Sequence, residues 1–385
     1  DSNAFARYLA SGNDKYLQGT SSSVTVASEL FVGPASARVP IGGTSAQDAI
    51  NAAIVGVNGS YGGGVVRLTK GTYSIDGPIL LKDNVILAGE GKQTIIKPSA
   101  DIVVIASGGT VGTHVDNMGI RDLSIDATSI TNSIIVSMDF VDNLFIDNIK
   151  ITDNGQISIY LNNVGNGNVT NITLIDIGVR GFSIAGGNIT LANILIDGTA
   201  TGGQTQVGVD VGTIGNINIS NVTIKDLDIT FAADIHGILL QVDSVTLNNI
   251  VIDSVSTNQA GQTAYGIKSE GDISRLNNIK IKDVDNTGAA AAAFGLHISG
   301  DEGIYTNTLV EAGTGTGVHF ASPAASNSIN SAIVRSNTTK GIVFASGTSD
   351  NEINECTARD NGADSGIDNA NEDNFSDAGT NNFVG

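Results

Sequence analysis

A short motif recurs along this chain and leaves few folds open to it. It reads Asn148-Ile-Lys-Ile-Thr-Asp153, Asn171-Ile-Thr-Leu-Ile-Asp176, Asn193-Ile-Leu-Ile-Asp197, Asn221-Val-Thr-Ile-Lys-Asp226, Asn249-Ile-Val-Ile-Asp253 and Asn278-Ile-Lys-Ile-Lys-Asp283. A degenerate copy, Asp122-Leu-Ser-Ile-Asp126, precedes them. Counted from Asp122, successive copies lie 26, 23, 22, 28, 28 and 29 residues apart. Weaker copies are read at Asn307, Asn330 and Asn354. A period of roughly 20 to 30 residues marks a solenoid, in which each repeat buries its apolar face against its neighbours.

Each copy is short, rich in β-branched residues and apolar at alternate positions, which is strand patterning. A second strand signature, Gly-apolar-x-apolar, falls between copies. It appears as Gly181-Phe-Ser-Ile184, Gly208-Val-Asp-Val211, Gly237-Ile-Leu-Leu240, Gly295-Leu-His-Ile298, Gly317-Val-His-Phe320 and Gly341-Ile-Val-Phe344, with Gly266-Ile-Lys-Ser269 as a polar-ended variant. Several short strands per repeat with no helix between them make an all-β, single-stranded parallel β-helix. A leucine-rich solenoid would need a different Leu spacing and a helix in each repeat. Coils stack at about 4.8 Å, so some 320 residues at ~25 per coil predict about thirteen coils in a rod of roughly 60 Å. The recurring Asn sits at a coil corner, where stacked amides can hydrogen-bond along the axis.

Composition narrows the partners. Lys plus Arg number 19 against 39 Asp plus Glu, a formal net charge of −20, which disfavours nucleic acid and anionic membranes. A polyanionic ligand would need a local basic patch or bound cations. No apolar run reaches the length of a membrane span. The single cysteine, Cys356, excludes an intrachain disulfide and reads as a small residue of the coil. The chain starts at Asp1 and stops in rung-like sequence at Asn382-Phe-Val-Gly385. It therefore reads as a processed or trimmed chain, with its last coil truncated or covered by another subunit. Sequons such as Asn171-Ile-Thr173 are by-products of the repeat.

Residues 1–40 lack the repeat and read as an extended leader or attachment segment, and 41–385 as the β-helix. Thr44-Ser-Ala-Gln47 is an N-cap pattern, and Ala46, Ala49, Ile50, Ala53, Ile54 and Val57 follow as an apolar helical stripe. A helix over about 44–57 is placed to cover the open end of the coil, whose unpaired strand edges would otherwise invite aggregation.

The helix beginning Gln47-Asp-Ala-Ile50, then Gly64-Val-Val-Arg-Leu-Thr-Lys-Gly-Thr-Tyr73, then Val85-Ile-Leu-Ala-Gly-Glu-Gly91, resembles the first coils of the pectate-lyase-like right-handed β-helix superfamily. That superfamily holds polysaccharide lyases, polygalacturonase-type hydrolases, and viral tailspikes and tail fibres. The resemblance implies a right-handed coil over roughly residues 40–385 and leaves the chemistry open.

Outward residues at one strand position stack into a column. Aligning the Gly-apolar-x-apolar strands gives Ser183, Asp210, Leu239, Lys268, His297, His319 and Val343, with Gln241 and Glu270 two residues further on. His236 and Tyr265 sit before their strands at the edge of this face. Asp210, Lys268, Glu270 and His297 are the candidate catalytic residues; His236, Gln241, Tyr265 and His319 are the candidate substrate-binding ones. A hydrolase needs two carboxyls across the scissile bond, and Asp210 and Glu270, two coils apart, stand about 10 Å from one another by stacking. A lyase or epimerase would instead use Lys268 or His297 as base beside a neutralised uronate.

The motifs of the enzymes it resembles are incomplete. Asp234-Ile-His236-Gly237 and Gly266-Ile-Lys268 are partial matches to polygalacturonase motifs, whose Asp-Asp pair and Arg-Ile-Lys are missing. The Asp-Pro-His-Glu of mannuronan epimerases is missing too. Trp is absent and aromatics are 5 %, with Tyr61, Tyr73, Tyr160, Tyr265 and Tyr305 as candidates for stacking on sugars. The acidic stretch Asp368–Asp377 lacks the Gly and Glu positions of a calcium loop, so no metal or cofactor is assigned. The expected function is a tailspike- or tail-fibre-like appendage, extracellular or on a virion surface, trimeric by resemblance, that binds surface polysaccharide. The alternatives are a secreted lyase or glycoside hydrolase acting on an acidic polysaccharide, and a purely structural surface rod.

Overall fold

The structure is a computed structural model. It describes residues 29–32, 46–128, 130–131, 133–153, 155–198, 205–213, 215–229, 233–288, 292–311, 313–362, 375–377 and 383–384. Of the leader only 29–32 falls within these residues; Thr44 and most of the acidic stretch 368–377 lie outside them. The chain divides into two compact units, residues 1–175 and 176–385. Among the described residues it is an all-β parallel solenoid preceded by one helix.

In the first unit the helix Ala46–Tyr61 runs one turn beyond the expected end at 57. Its buried residues are the six of the expected stripe, Ala46, Ala49, Ile50, Ala53, Ile54 and Val57. Asn51 acts as a surrogate strand: its Nδ2 donates to the Pro78 carbonyl at 2.9 Å and its Oδ1 accepts from the Leu80 amide at 2.8 Å. Glu29–Val32 adds a parallel strand to Gly64–Leu68. Edge amides and carbonyls that would stay unpaired are thereby satisfied. The strands Val115–Ala127, Ile134–Asp153 and Ile157–Ile175 then stack in parallel register, with Met118 on Leu144 and Ile125 on Ile151.

In the second unit three parallel legs repeat in each coil. In Arg180–Asp197, Ile217–Ile229, Val245–Thr257 and Arg275–Asn286 two legs join through the Asn corner into a single long strand. The corner Asn therefore lies inside a strand. Asn193, Asn221, Asn249, Asn278 and Asn307 all have φ between 50° and 58°, the left-handed region that Asn tolerates best after Gly. Their amides form the expected ladder: Asn221 donates to Asn193 (3.2 Å), Asn249 to Asn221 (3.1 Å), Asn278 to Asn249 (3.1 Å) and Asn307 to Asn278 (3.3 Å). The degenerate copy belongs to the same scheme in the first unit, where Asn148 donates to Asp122 at 2.7 Å.

Beyond Asn307 the expected register is one residue off. Asn330 pairs with Thr306 and Asn354 with Asn330, while Ser331 and Glu355, with φ of 56° and 52°, occupy the corner. Cys356 is a free, partly buried thiol whose pKa is raised by burial. Among the described residues no helix is long and apolar enough to cross a membrane.

Candidate functional site

The Gly-apolar-x-apolar strands of the second unit form one leg, and glycine shapes it. A Cβ on Gly237 would lie 2.5 Å from the Gly266 carbonyl oxygen, and one on Gly266 would lie 2.5 Å from that of Gly295 and 2.6 Å from Ile281. Only glycine lets successive coils approach so closely here. The residue after each glycine points into the core (Ile238, Ile267 and Leu296 are all 0 % exposed). The glycine also breaks the strict alternation, so the residue before it and the residue two after it share the outer face.

The expected column is present in the expected order. Ser183 pairs with Asp210, Asp210 with Leu239, Leu239 with Lys268, Lys268 with His297, His297 with His319, and His319 with Val343. His236 and Tyr265 are not ahead of their strands but inside them, paired with one another in a second column that continues to Phe294. Nor is the face open. Asp210 is 7 % exposed, His236 4 %, Tyr265 8 % and His297 9 %, because neighbours on adjacent coils cover each side chain.

Four of the candidates converge on one spot. Lys268 Nζ lies 2.6 Å from Glu270 Oε1 and 5.1 Å from the Tyr265 ring centroid. Gln241 Nε2 donates to Glu270 Oε2 at 3.1 Å. Burial alone would raise the Glu270 carboxyl, but the hydrogen bonds from Lys268 and Gln241, with the Lys268 charge, bring it below its ordinary value. Asp210 stands apart, with Leu239 between it and Lys268 in the column. Its neighbour is Arg180, whose Nε is 3.3 Å from Asp210 Oδ2 but is not aligned as a hydrogen bond. Asp210 Oδ1 has no hydrogen-bond partner, and burial raises its pKa despite Arg180, with the Glu270 charge adding to the rise.

The rings form a continuous stack. His236 lies flat on Tyr265 (centroids 4.8 Å, 2°), Tyr265 on Phe294 (5.6 Å, 23°) and Phe294 on His319 (4.7 Å, 17°). His297 meets Tyr265 and Phe294 edge-on at 5.2 and 5.0 Å. Burial, then the Lys268 charge, pushes His236 down to about 3; burial, then His319, pushes His297 down to about 3. Burial lowers His319 and raises Tyr265. His236 Nδ1 is buried without a partner. Tyr73 and Tyr305, candidates for stacking on sugars, are instead core residues at 0 % exposure.

Arg180 and Phe294 were missed, though both precede a motif glycine, as His236 and Tyr265 do. One rule, that the residue before the glycine faces outward, would have found them. In the first unit a separate cavity of about 370 Å³ is lined by Lys92, Ile95, Ser124, Ile125, Asp126, Lys150 and Thr152, with Lys97 paired to Asp126 at 2.8 Å. It is a local basic patch on an acidic chain.

Known proteins echo this architecture. Residues 39–226 match a family model described as rhamnogalacturonase A/epimerase, pectate lyase-like. Among solved structures, a tailspike protein mutant of E. coli bacteriophage HK620 is similar at 12 % identity and a TM-score of 0.60, covering 92 % of this chain and 73 % of its own. A family 28 exopolygalacturonase of Yersinia enterocolitica is similar at 11 % identity and 0.55, covering 87 % and 74 %. The A-module of the mannuronan C-5 epimerase AlgE6 of Azotobacter vinelandii follows at 17 % identity and 0.52, covering 88 % and 95 %. At such identities the likeness concerns the fold. A search of curated proteins finds no match.

Proposed function

The chain folds as a parallel β-helix, and we propose that it is a member of the pectate-lyase-like right-handed β-helix superfamily and a polysaccharide-binding surface appendage of the tailspike or tail-fibre kind. On this reading it works outside the cell or on a virion surface, as a homotrimer. The observation that carries the reading is the polar row Gln241, Lys268 and Glu270, joined by hydrogen bonds and reaching solvent beside the packed rings of His236, Tyr265 and Phe294. Sugar hydroxyls are recognised by polar groups of this kind, which both donate and accept hydrogen bonds. The tailspike likeness supports the same reading.

A glycan array with the intact chain tests it, alongside light scattering for the mass. Retention of one class of polysaccharide, lost on Gln241→Ala and Glu270→Ala, is the expected result. No retention of any glycan, or a strict monomer, would count against the appendage reading.

A second reading, glycoside hydrolysis, is favoured by one observation. The surroundings of Asp210 raise its pKa while those of Glu270 lower its own. That opposition is the one expected of an acid and a base working as a pair. Asp210 would protonate the leaving oxygen and Glu270 would activate water; their two-coil separation of about 10 Å suits inversion better than retention. Reducing ends released from the retained glycan, and lost in Asp210→Asn and Glu270→Gln, would support it.

A further inference from the structure

The His297–His319 pair stands at the edge of the face just described, and neither the sugar reading nor the hydrolytic one uses it. The two residues are direct partners on adjacent parallel strands, and their Nδ1 atoms lie 3.1 Å apart. Two imidazole nitrogens bound to one ion at 2.0–2.1 Å stand about 2.9 Å apart at a right angle and about 3.4 Å apart at the tetrahedral angle. The observed separation falls inside that bite. We propose that His297 and His319 form a two-imidazole site for a borderline divalent transition metal ion, of the zinc-to-copper class, with water completing the coordination.

The rings are held for the purpose. Phe294 lies flat on His319 and edge-on to His297, and Tyr265 meets His297 edge-on, so both imidazoles are oriented before any ion arrives. Burial keeps both neutral, which leaves their nitrogen lone pairs free to ligate. Lys268 is the nearest cation in the column, and Glu270 neutralises it at 2.6 Å. A net charge of −20 raises the concentration of cations around the chain. Among the described residues no third His, Cys, Asp or Glu side chain joins the pair in an arrangement that could hold a metal, so the proposed site would have two protein ligands. The competing arrangement is an Nδ1–H to Nδ1 hydrogen bond. Binding displaces it by moving that proton to Nε2, a tautomer change with no net proton release between neutral rings.

The test is titration of the intact chain with copper(II), nickel(II) and zinc salts, each alone, by calorimetry at pH 7.5. It is joined by the electron paramagnetic resonance spectrum of the copper form. Copper is expected to bind in a one-to-one step and most tightly of the three, with a spectrum split by two nitrogens, and to raise the thermal midpoint. His319→Ala and, independently, His297→Gln are expected to lose that step while their metal-free melting curves stay cooperative. His114→Ala is expected to keep it; that imidazole sits at Asp142 in the first unit. No one-to-one step in the wild type, or a step that survives in both pair variants, would overturn the proposal and leave the pair as a hydrogen bond.

Discussion

Two columns climb the same coils of residues 176–385 and obey opposite rules. The Asn corner repeats one residue, from Asn193 to Asn307, and every amide hands its hydrogen bond to the one before. The glycine-strand column changes residue at each coil: Asp210, Leu239, Lys268, His297, His319. Where identical side chains stack, donors and acceptors match by repetition and the column only holds the coil. Where they differ, matching fails in places: Asp210 Oδ1 and His236 Nδ1 are left without partners on this face. Buried polar atoms without partners are costly, so a fold retains them where something other than stability is selected.

The sharpest way to break the comparison is at the glycine that both columns depend on. Gly266→Ala puts a Cβ 2.5 Å from the Gly295 carbonyl oxygen and 2.6 Å from Ile281, and the backbones must part. A loss of about 3 kcal/mol in urea unfolding is expected from such overpacking. A loss below about 1 kcal/mol would mean the coils separate more easily than their register implies.

Acid separates the columns next, because only one of them titrates. His236 and His297 stay neutral in the fold down to about 3, whereas imidazole in the unfolded chain titrates near pH 6.5. Between those values the unfolded chain binds more protons, so stability present above about pH 6.5 is lost as pH falls through that window. Asp210 acts in the opposite sense: its raised carboxyl takes a proton in the fold first and offsets part of the loss. A net fall of about 3 kcal/mol from pH 7 to pH 5 is expected, the two imidazoles giving about 4 and Asp210 offsetting part of it. His236→Phe keeps a ring on Tyr265, removes one titrating group and should visibly flatten the slope. An unchanged slope would show that His236 is protonated within the fold.

The Asn column has a smaller and purely structural signature. Asn249→Ala removes two ladder bonds of 3.1 Å and places Ala at φ 56°. It should cost about 2 kcal/mol, with Asn249→Gly recovering the conformational part. Neither change should touch glycan retention; if either does, the corner is not merely structural.

How much of this was legible beforehand follows the same division. The homogeneous column was readable because repetition is visible in one dimension: the Asn spacing defined the coil, and the glycine motif ordered Ser183 through Val343 correctly. Register slipped where repetition weakened. Asn330 and Asn354 carry the residue type of the corner, yet Ser331 and Glu355 take its left-handed conformation, since φ rather than residue type defines it. Burial of the face was not legible at all. Whether His236 is covered depends on Tyr265, 29 residues away in the chain and one coil away in space. Phe294 and Arg180 were missed because the outward position before the glycine comes from a break in alternation that a strict two-residue period conceals.

The smallest stability effect carries the largest functional consequence. Lys268 and Glu270 were expected to be exposed; they are instead 22 % and 31 % exposed at the side chain and paired at 2.6 Å. A pair still this wet contributes little, so Lys268→Ala should shift unfolding by no more than about 1 kcal/mol. The same change removes the cation beside the Tyr265 ring and frees the Glu270 carboxylate from its strongest partner. On the proposed reading, glycan retention should then fall by more than tenfold, a loss of about 1.4 kcal/mol in binding. Measured together, the two numbers decide what the heterogeneous column is for. A stability loss of several kcal/mol with retention intact would make Lys268 a structural residue like Asn249, and the contrast between the columns would collapse to one of composition.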